Sequence, residues 1–199
     1  MTSQWLFTGL VLLVGLERVA ELVVSKRHAA WAFSRGAVER GQGHYPVMVV
    51  LHTALLVGAV AEVWAADRPF LPVLGWVALA LVAASQGLRW WCITTLGRQW
   101  NTRVIVVPGL SLVRRGPYWL VRHPNYVAVV VEGVALPLVH TAWVTAVVFT
   151  IANAALLTVR IRVEDDALRE IASATGTPAD APADAPADAP ADAPAGTTP

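Results

Sequence analysis

Arg160 and Glu164 stand four residues apart in the run Arg160-Ile161-Arg162-Val163-Glu164-Asp165-Asp166-Ala167-Leu168. On a helix that spacing puts a guanidinium and a carboxylate on one face. Such a pair is either a surface ion pair or a divided site, in which Glu164 takes a cationic or hydroxyl-bearing ligand and Arg160 an anionic one. A second group is Arg122-His123-Pro124-Asn125-Tyr126. Pro124 suits the first position of a helix, where its missing N–H would have no partner. A helix start favours an anionic group such as a ligand carboxylate. This group closes a basic connection, Gly97 to Asn125, of roughly thirty residues with no obvious helix, a length at which loops tend to carry function. Pro108-Gly109 and Gly116-Pro117 mark turns within it. The other reading of the connection is a basic loop lying on anionic lipid.

The elements that must hold these residues are apolar helices. The chain has 199 residues, 56% of them hydrophobic and 15% charged, with mean hydropathy +0.54. Soluble domains carry about a quarter charged residues, so a soluble enzyme, a disulfide-stapled secreted module and a nucleic-acid binder are all disfavoured, and an integral membrane protein remains. Five apolar stretches can be drawn: Trp5 to Val24, Tyr45 to Ala65, Pro72 to Leu96, Tyr126 to His140 and Thr141 to Val159. The last two are short for spanning ~30 Å at about 20 residues each, and the turn near Pro137 to Thr141 predicts a tight helical hairpin. The fold class expected is an all-α integral membrane protein of about five transmembrane helices, with a C-terminal helical hairpin and a cytosolic pocket.

Charge sets the expected topology. Removing the tail residues Asp180, Asp184, Asp188 and Asp192 raises the formal net charge from +1 to +5 for the rest of the chain. Lys26, Arg27, Arg35 and Arg40 occupy the first connection, and Arg98, Arg103, Arg114, Arg115 and Arg122 the third. Arg160, Arg162 and Arg169 follow the fifth stretch, whereas Asp67 and Arg68 cancel in the second connection. Basic and neutral connections alternate as the positive-inside rule requires, giving an outside N-terminus and a cytoplasmic C-terminus. Trp5, Trp64, Trp76, Trp90 and Trp91 fall near predicted helix ends, where aromatic belts form. The first stretch, with Glu17, Arg18 and Glu21 and no A-x-A site after it, is not a signal peptide. Three segments follow: residues 1–65 with the first two helices, 66–175 with the chemistry, and 176–199, a Pro/Ala/Asp repeat expected to be a disordered tail.

Ionisable groups inside membrane helices are expensive and default to functional hypotheses. Glu17, Arg18 and Glu21 form either an internal salt bridge that positions the first helix or a substrate contact. Glu62 near a predicted boundary is expected to be solvated, and Arg89 to snorkel. His28, His44, His52 and His140 are scattered with no metal spacing such as H-E-x-x-H, and the single Cys92 supports neither a disulfide nor a cysteine cluster. No metal and no nucleic-acid partner is expected.

Gly116-Pro117-Tyr118, Arg122-His123-Pro124-Asn125-Tyr126 and the R-x-x-x-E-[ED]-x-x-L of Arg160 to Leu168, with a hydrophobic hairpin between the last two, resemble the isoprenylcysteine carboxyl methyltransferase family, bacterial relatives included. The resemblance covers roughly Gly97 to Leu168. It implies an integral membrane enzyme that uses S-adenosyl-L-methionine in a cytosol-facing pocket. Carried over by motif, Leu110, Ser111, Leu112 and Val113 would line that pocket largely through backbone. Tyr118, His123, Pro124, Asn125 and Tyr126 would contact the cofactor, Glu164 would bind its polar end, and Arg160 would face the substrate. Two departures stand out. Asp165 takes the place of a second glutamate, and the aromatic-glycine element that follows the leucine in many members is missing.

The chemistry of such a cofactor agrees with these residue types. A carboxylate accepts from amino and hydroxyl groups, and Tyr118, Trp119 and Tyr126 offer faces to adenine or sulfonium. Methyl transfer is mostly positioning and water exclusion. A carboxylate acceptor is already ionised and Arg160 could orient it in two-point contact. A phenol with pKa near 10 would need a base, for which Glu132 and His123 are candidates. Glu132 is otherwise a helix-packing group. The activity implied is O-methylation of a lipophilic or lipidated substrate, either a prenylcysteine-like carboxylate or a long-chain phenolic or quinone lipid. The Arg-over-Lys usage hints at GC-rich coding and a bacterial plasma membrane. The alternative is a non-catalytic membrane scaffold or small transporter that keeps the fold.

Overall fold

The computed structural model describes residues 1–108, 110 and 113–175, the side chains of 168 and 171–175 excepted. Six helices follow in order: α1 (Thr2–Phe33), α2 (Tyr45–Ala65), α3 (Pro72–Leu96), the one-turn α4 (Pro117–Leu120), α5 (Pro124–Leu138) and α6 (Trp143–Thr175). Proline sits in the first two positions of α2, α3, α4 and α5. There its fixed φ is pre-set for the helix and its missing donor costs nothing, so four of the six starts are written in the sequence.

Among the described residues three segments are long and apolar enough to cross a membrane: Gln42–Ala65, Pro72–Gln99 and Trp143–Ala167. Helix α1 is long but carries Glu17, Arg18 and Glu21 in its middle, and α5 is apolar but has only 15 residues. The large apolar side chains that remain exposed, such as Leu12, Leu13 and Leu16 on α1 and Val144, Val148 and Ile151 on α6, form the kind of surface that fits a lipid environment.

Helices α1 and α6 overrun their expected ends for the same reason. Past Val24 the buried positions Ser25, Ala29 and Ala32 repeat at helical spacing while Lys26 and Arg27 stay exposed, so α1 continues as an amphipathic helix. At ~1.5 Å per residue its 32 residues extend about 48 Å, well beyond a bilayer core of ~30 Å. Likewise α6 runs unbroken through Arg160 and Glu164. Two three-residue strands that the sequence reading did not anticipate, β1 (Val38–Arg40) and β2 (Val104–Val106), pair antiparallel with Val38 opposite Val106. They tie the connection after α1 to the connection after α3.

Phe7, Val11 and Val14 of α1, Ala59 and Val63 of α2, Ala78 and Val82 of α3, and Ala135 and Leu136 of α5 form one buried apolar cluster. It fills the half of the bundle remote from the basic connections. The hairpin between α5 and α6 forms as the sequence predicts. Thr141 turns the chain at φ 54 and its Oγ1 donates to Pro69 O at 2.7 Å. A Cβ on Gly133 would come within 2.1 Å of Phe149, so glycine is what lets α5 and α6 close on one another.

Two polar residues differ from their sequence expectations. Glu62 is not solvated. Its carboxylate accepts from Val144 N at 3.1 Å and Thr145 N at 2.7 Å, the first turn of α6, and pairs with Arg68 at 2.8 Å. It caps a helix start that offers donors and a positive end. Arg89 does not snorkel. It is 4% exposed and pairs with Glu132 at 2.6 Å and with Glu21 at 3.5 Å. Arg18 bonds Glu21 at 2.9 Å, as the spacing suggested.

Candidate active site

The two motif regions meet where α5 begins and α6 passes by. Tyr126, in the first turn of α5, donates its hydroxyl to Glu164 of α6 and accepts from Arg160 Nε at 2.9 Å. The four-residue spacing on α6 is what lets one phenol reach both groups. Arg160, 5% exposed, also donates to Met48 Sδ of α2 at 2.6 Å and to Thr102 O. It thus joins α2, α5, α6 and the connection after α3, which a guanidinium can do because its donors fan out in a plane.

Thr102 is held in turn by α1. Its N–H donates to Ser25 Oγ at 3.0 Å, the two hydroxyls lie 2.8 Å apart, and Asn101 bonds Ser25 on both sides. His28 Nδ1 lies 2.9 Å from Trp100 O. Sequence reasoning missed this clamp entirely. Ser25 and His28 fall on one face of a helix, but nothing in α1 names the loop they grip.

His123 lies against Tyr126, ring centroids 5.4 Å apart and nearly parallel. Its Nε2 is 3.3 Å from Asp165 Oδ1 and its Nδ1 is 3.8 Å from Glu164 Oε1. His123, Glu164 and Asp165 all keep partial exposure, so this side of the site is reachable. Tyr126 N and Val127 N both turn back to His123 O, which narrows the offering of this helix start to the Asn125 amide. Asn125 Oδ1 is buried with no hydrogen-bond partner. A buried acceptor left open asks for a donor from a ligand.

Gly116-Pro117-Tyr118 has a local explanation. Gly116 takes φ +58, and a Cβ there would meet Thr95 Oγ1 at 2.8 Å and Trp91 Nε1 at 3.1 Å. The glycine thus lets the loop press onto the end of α3, Pro117 opens α4, and Tyr118 lies beside Cys92. Burial, with Cys92 beside it, pushes the Tyr118 phenol well above its ordinary range, so it is a neutral wall group. Pro124 is buried at the start of α5.

Of the other residues singled out in sequence, Leu110 is 39% exposed and Val113 half-buried. Ser111 and Leu112 lie outside the described residues. Glu132 lies apart from Glu164 and His123, in the Arg18–Glu21–Arg89 cluster. The described residues hold no group of three or more His, Cys, Asp or Glu able to bind a metal.

The residues present fit a nucleoside cofactor. Glu164 offers a reachable carboxylate, Asn125 an open buried acceptor, and His123 and Tyr126 flat faces. Comparison with known proteins points the same way. The profile of the isoprenylcysteine carboxyl methyltransferase (ICMT) family matches residues 76–170, which include most of α3, all of α4 and α5, and the part of α6 with Arg160 and Glu164. The uncharacterized protein YpbQ of Bacillus subtilis (strain 168) is 39% identical over 166 residues, 83% of this chain and 98% of that protein. An uncharacterized protein of Haemophilus influenzae is 25% identical over 155 residues, 77% of this chain and 90% of its own length. No solved structure matches.

Proposed function

This chain belongs to the isoprenylcysteine carboxyl methyltransferase family, and on that premise we propose that it is a membrane O-methyltransferase using S-adenosyl-L-methionine on a lipophilic acceptor. Five spanning helices, an outside N-terminus and a cytoplasmic site in a bacterial plasma membrane complete the reading. The alternation of basic and neutral connections supports that orientation. The single observation that carries the reading is Tyr126 joining Glu164 to Arg160. It sets the partly exposed Glu164 carboxylate beside a buried guanidinium at the junction of the motifs.

When bound, the cofactor supplies an electrophilic methyl group on a positively charged sulfur. Glu164 would accept from its amino or hydroxyl groups, and Asn125 Oδ1, buried without a partner, would accept from a further donor on it. Tyr118, His123, Pro124 and Tyr126 would provide the walls, with Leu110 and Val113 on the side toward the loop. Arg160 holds the acceptor oxygen. A carboxylate acceptor arrives ionised and needs no base. A phenol acceptor gives its proton to His123, which Asp165 holds through Nε2, or to Glu132. The acceptor is thus a prenylcysteine-like carboxylate or a long-chain phenol, and the two differ in whether turnover depends on a base.

Calorimetric titration of S-adenosylhomocysteine into detergent-purified protein tests this reading. Micromolar binding that disappears in Glu164→Ala is expected. Absence of binding to well-folded wild-type protein overturns the reading in favour of a scaffold or transporter that keeps the fold.

A further inference from the structure

The chain has five histidines, and four of them are engaged. His28 Nδ1 lies 2.9 Å from Trp100 O, His52 Nδ1 lies 2.9 Å from Met48 O, and His140 Nε2 lies 3.2 Å from Ser3 Oγ. His123 Nε2 is 3.3 Å from Asp165 Oδ1. His44 is the exception. Among the described residues neither of its ring nitrogens takes part in a hydrogen bond. A half-buried imidazole with both nitrogens open can give or take a proton at a ligand.

The fold brings this ring to the site. After β1 the chain turns at Gly41, which takes φ +63. A Cβ on Gly41 would strike the His44 ring and come within 2.9 Å of Val163 Cγ1. The ring therefore lies over bare glycine backbone, against the turn of α6 that runs from Arg160 to Glu164. It is near enough to Arg160 for the charge of the guanidinium to act on it. Met48, four residues on and so on the same face, reaches that guanidinium through its Sδ. His44 thus addresses α6 at Arg160, whereas His123 addresses it at Glu164 and Asp165. Glu132, the other base considered above, is tied to Arg89 and Arg18 in the buried cluster.

Depth fits an amphiphile. His44 immediately precedes α2, whose 21 residues at ~1.5 Å each match a bilayer core of ~30 Å. That boundary is the level at which a hydroxyl head rests while its tail stays in hydrocarbon. We propose that the acceptor is a long-chain phenol and that His44 is its base, with Arg160 holding the oxygen. The phenol O–H gives its proton to a ring nitrogen of His44 as the new oxygen–methyl bond forms. The carbon–sulfur bond of the methyl donor breaks and its electron pair stays on sulfur. S-adenosylhomocysteine, the methyl ether and an imidazolium result, and the imidazolium returns its proton to water. A carboxylate acceptor has no proton to give and would leave His44 without a task. The assignment rests on the methyltransferase reading above.

Of the titratable groups on the elements around His44, Arg160 of α6 is the charge that reaches it. Tyr126 of α5 and Glu164 of α6 bond one another, Glu39 of β1 pairs with Arg103, and Arg40 pairs with Glu170. The pH dependence of turnover is therefore set by the imidazole and the phenol.

The test compares the wild type with His44→Gln and His44→Ala, each as the full chain in detergent. With S-adenosylmethionine and a long-chain alkylphenol, His44→Gln should lower kcat near pH 7 by about 100-fold. The wild-type rate should fall as pH drops through the imidazole range, about 6.5, whereas the variant's should keep climbing toward the phenol's own pKa, about 10. Added imidazole should restore part of the rate of His44→Ala, which a merely structural role would not allow. S-adenosylhomocysteine binding should be unchanged in both variants, which also reports that they fold. A long-chain nitrophenol, coloured only when ionised, gives a reading without the methyl donor. Bound just below its own pKa it should be more ionised on the wild type than on His44→Gln. Wild-type protein that methylates the alkylphenol beside a His44→Gln variant with the same kcat and pH profile overturns His44 as the base. Methylation of a farnesylcysteine carboxylate but not of the alkylphenol overturns the phenol assignment and the role of His44 with it. Wild-type protein that neither binds S-adenosylhomocysteine nor methylates either probe overturns the methyltransferase reading itself.

Discussion

Arg160 meets Tyr126 in two ways: its Nε donates to the phenolic oxygen at 2.9 Å, and its Cζ lies 5.6 Å from the ring centroid. The contact joins two helices through a buried charge. Replacing Tyr126 by Phe keeps the ring and removes the oxygen. Arg160 Nε then loses its acceptor and Glu164 its donor. An unmatched buried partner of a charged group costs about 1–3 kcal/mol. Tyr126→Phe should therefore weaken S-adenosylhomocysteine binding by roughly 5- to 150-fold, read by calorimetry, with the helical circular dichroism intact. Affinity equal to wild type would remove Tyr126 from the site.

Ser25 is a positioning residue in this scheme, because it reaches Arg160 only through Thr102. Ser25→Ala deletes a hydroxyl that accepts from Thr102 N and bonds Asn101. The loop at Asn101 to Arg103 should loosen and with it the orientation of Arg160. The expected signature is a lower kcat for methyl transfer, with cofactor affinity preserved and the protein still folded. A merely structural role would instead lower thermal stability and leave the turnover of the folded fraction unchanged. Ser25→Thr, which restores a hydroxyl, should recover most of the loss.

Part of this architecture could be read from the residues alone, and the part that could not has a common cause. The helix starts were legible because proline marks them, and the α5–α6 hairpin because Pro137 and Thr141 break an otherwise apolar run. Arg160 and Glu164 were legible as a pair because four-residue spacing is a local rule. Tyr126 as their bridge was not, because the contact is between helices 34 and 38 residues apart in the chain. The same holds for Ser25 and Thr102, and for the β1–β2 pairing, whose Val104-Ile105-Val106 run is too short to announce a strand. Glu62 and Arg89 were misjudged for one reason. Exposure was inferred from their place in the sequence, whereas each is settled by partners brought by another helix.

Glu62 gives a prediction about stability rather than activity. Its carboxylate satisfies Val144 N, Thr145 N and Thr145 Oγ1 and pairs with Arg68. Glu62→Ala leaves those amide donors at the start of α6 without their acceptor and removes the charge that complements the helix end. A loss of about 2–4 kcal/mol is expected from helix-end and charge-assisted bonds together. Glu62→Gln should lose less, because the amide oxygen can still accept. Thermal unfolding followed in detergent reads both, and an unchanged Tm for Glu62→Ala would contradict the capping role. S-adenosylhomocysteine binding to the folded fraction should be unaffected, since α6 begins at the end of the bundle remote from Glu164.

The Arg89–Glu132 pair, at 2.6 Å with both side chains about 5% exposed, separates the cost of breaking a buried ion pair from the value of having one. Removing one partner strands the other's charge, so Arg89→Met or Glu132→Leu alone should destabilise by about 3–5 kcal/mol. The double variant strands neither within the pair and should recover part of that loss. Recovery should be incomplete, because Glu21 also faces Arg89 at 3.5 Å and Arg18 faces Glu132 at 3.7 Å. A double-mutant cycle on thermal stability measures the coupling. Additive single effects would mean that Arg89 and Glu132 are held by their outer partners and not by each other. The same three proteins also bear on the chemistry. If Glu132 takes the proton of a phenol acceptor, Glu132→Leu and the double variant should both lose turnover at neutral pH and regain some as pH rises toward the phenol's own pKa, about 10. If the acceptor is a carboxylate, neither should show that pH-dependent recovery.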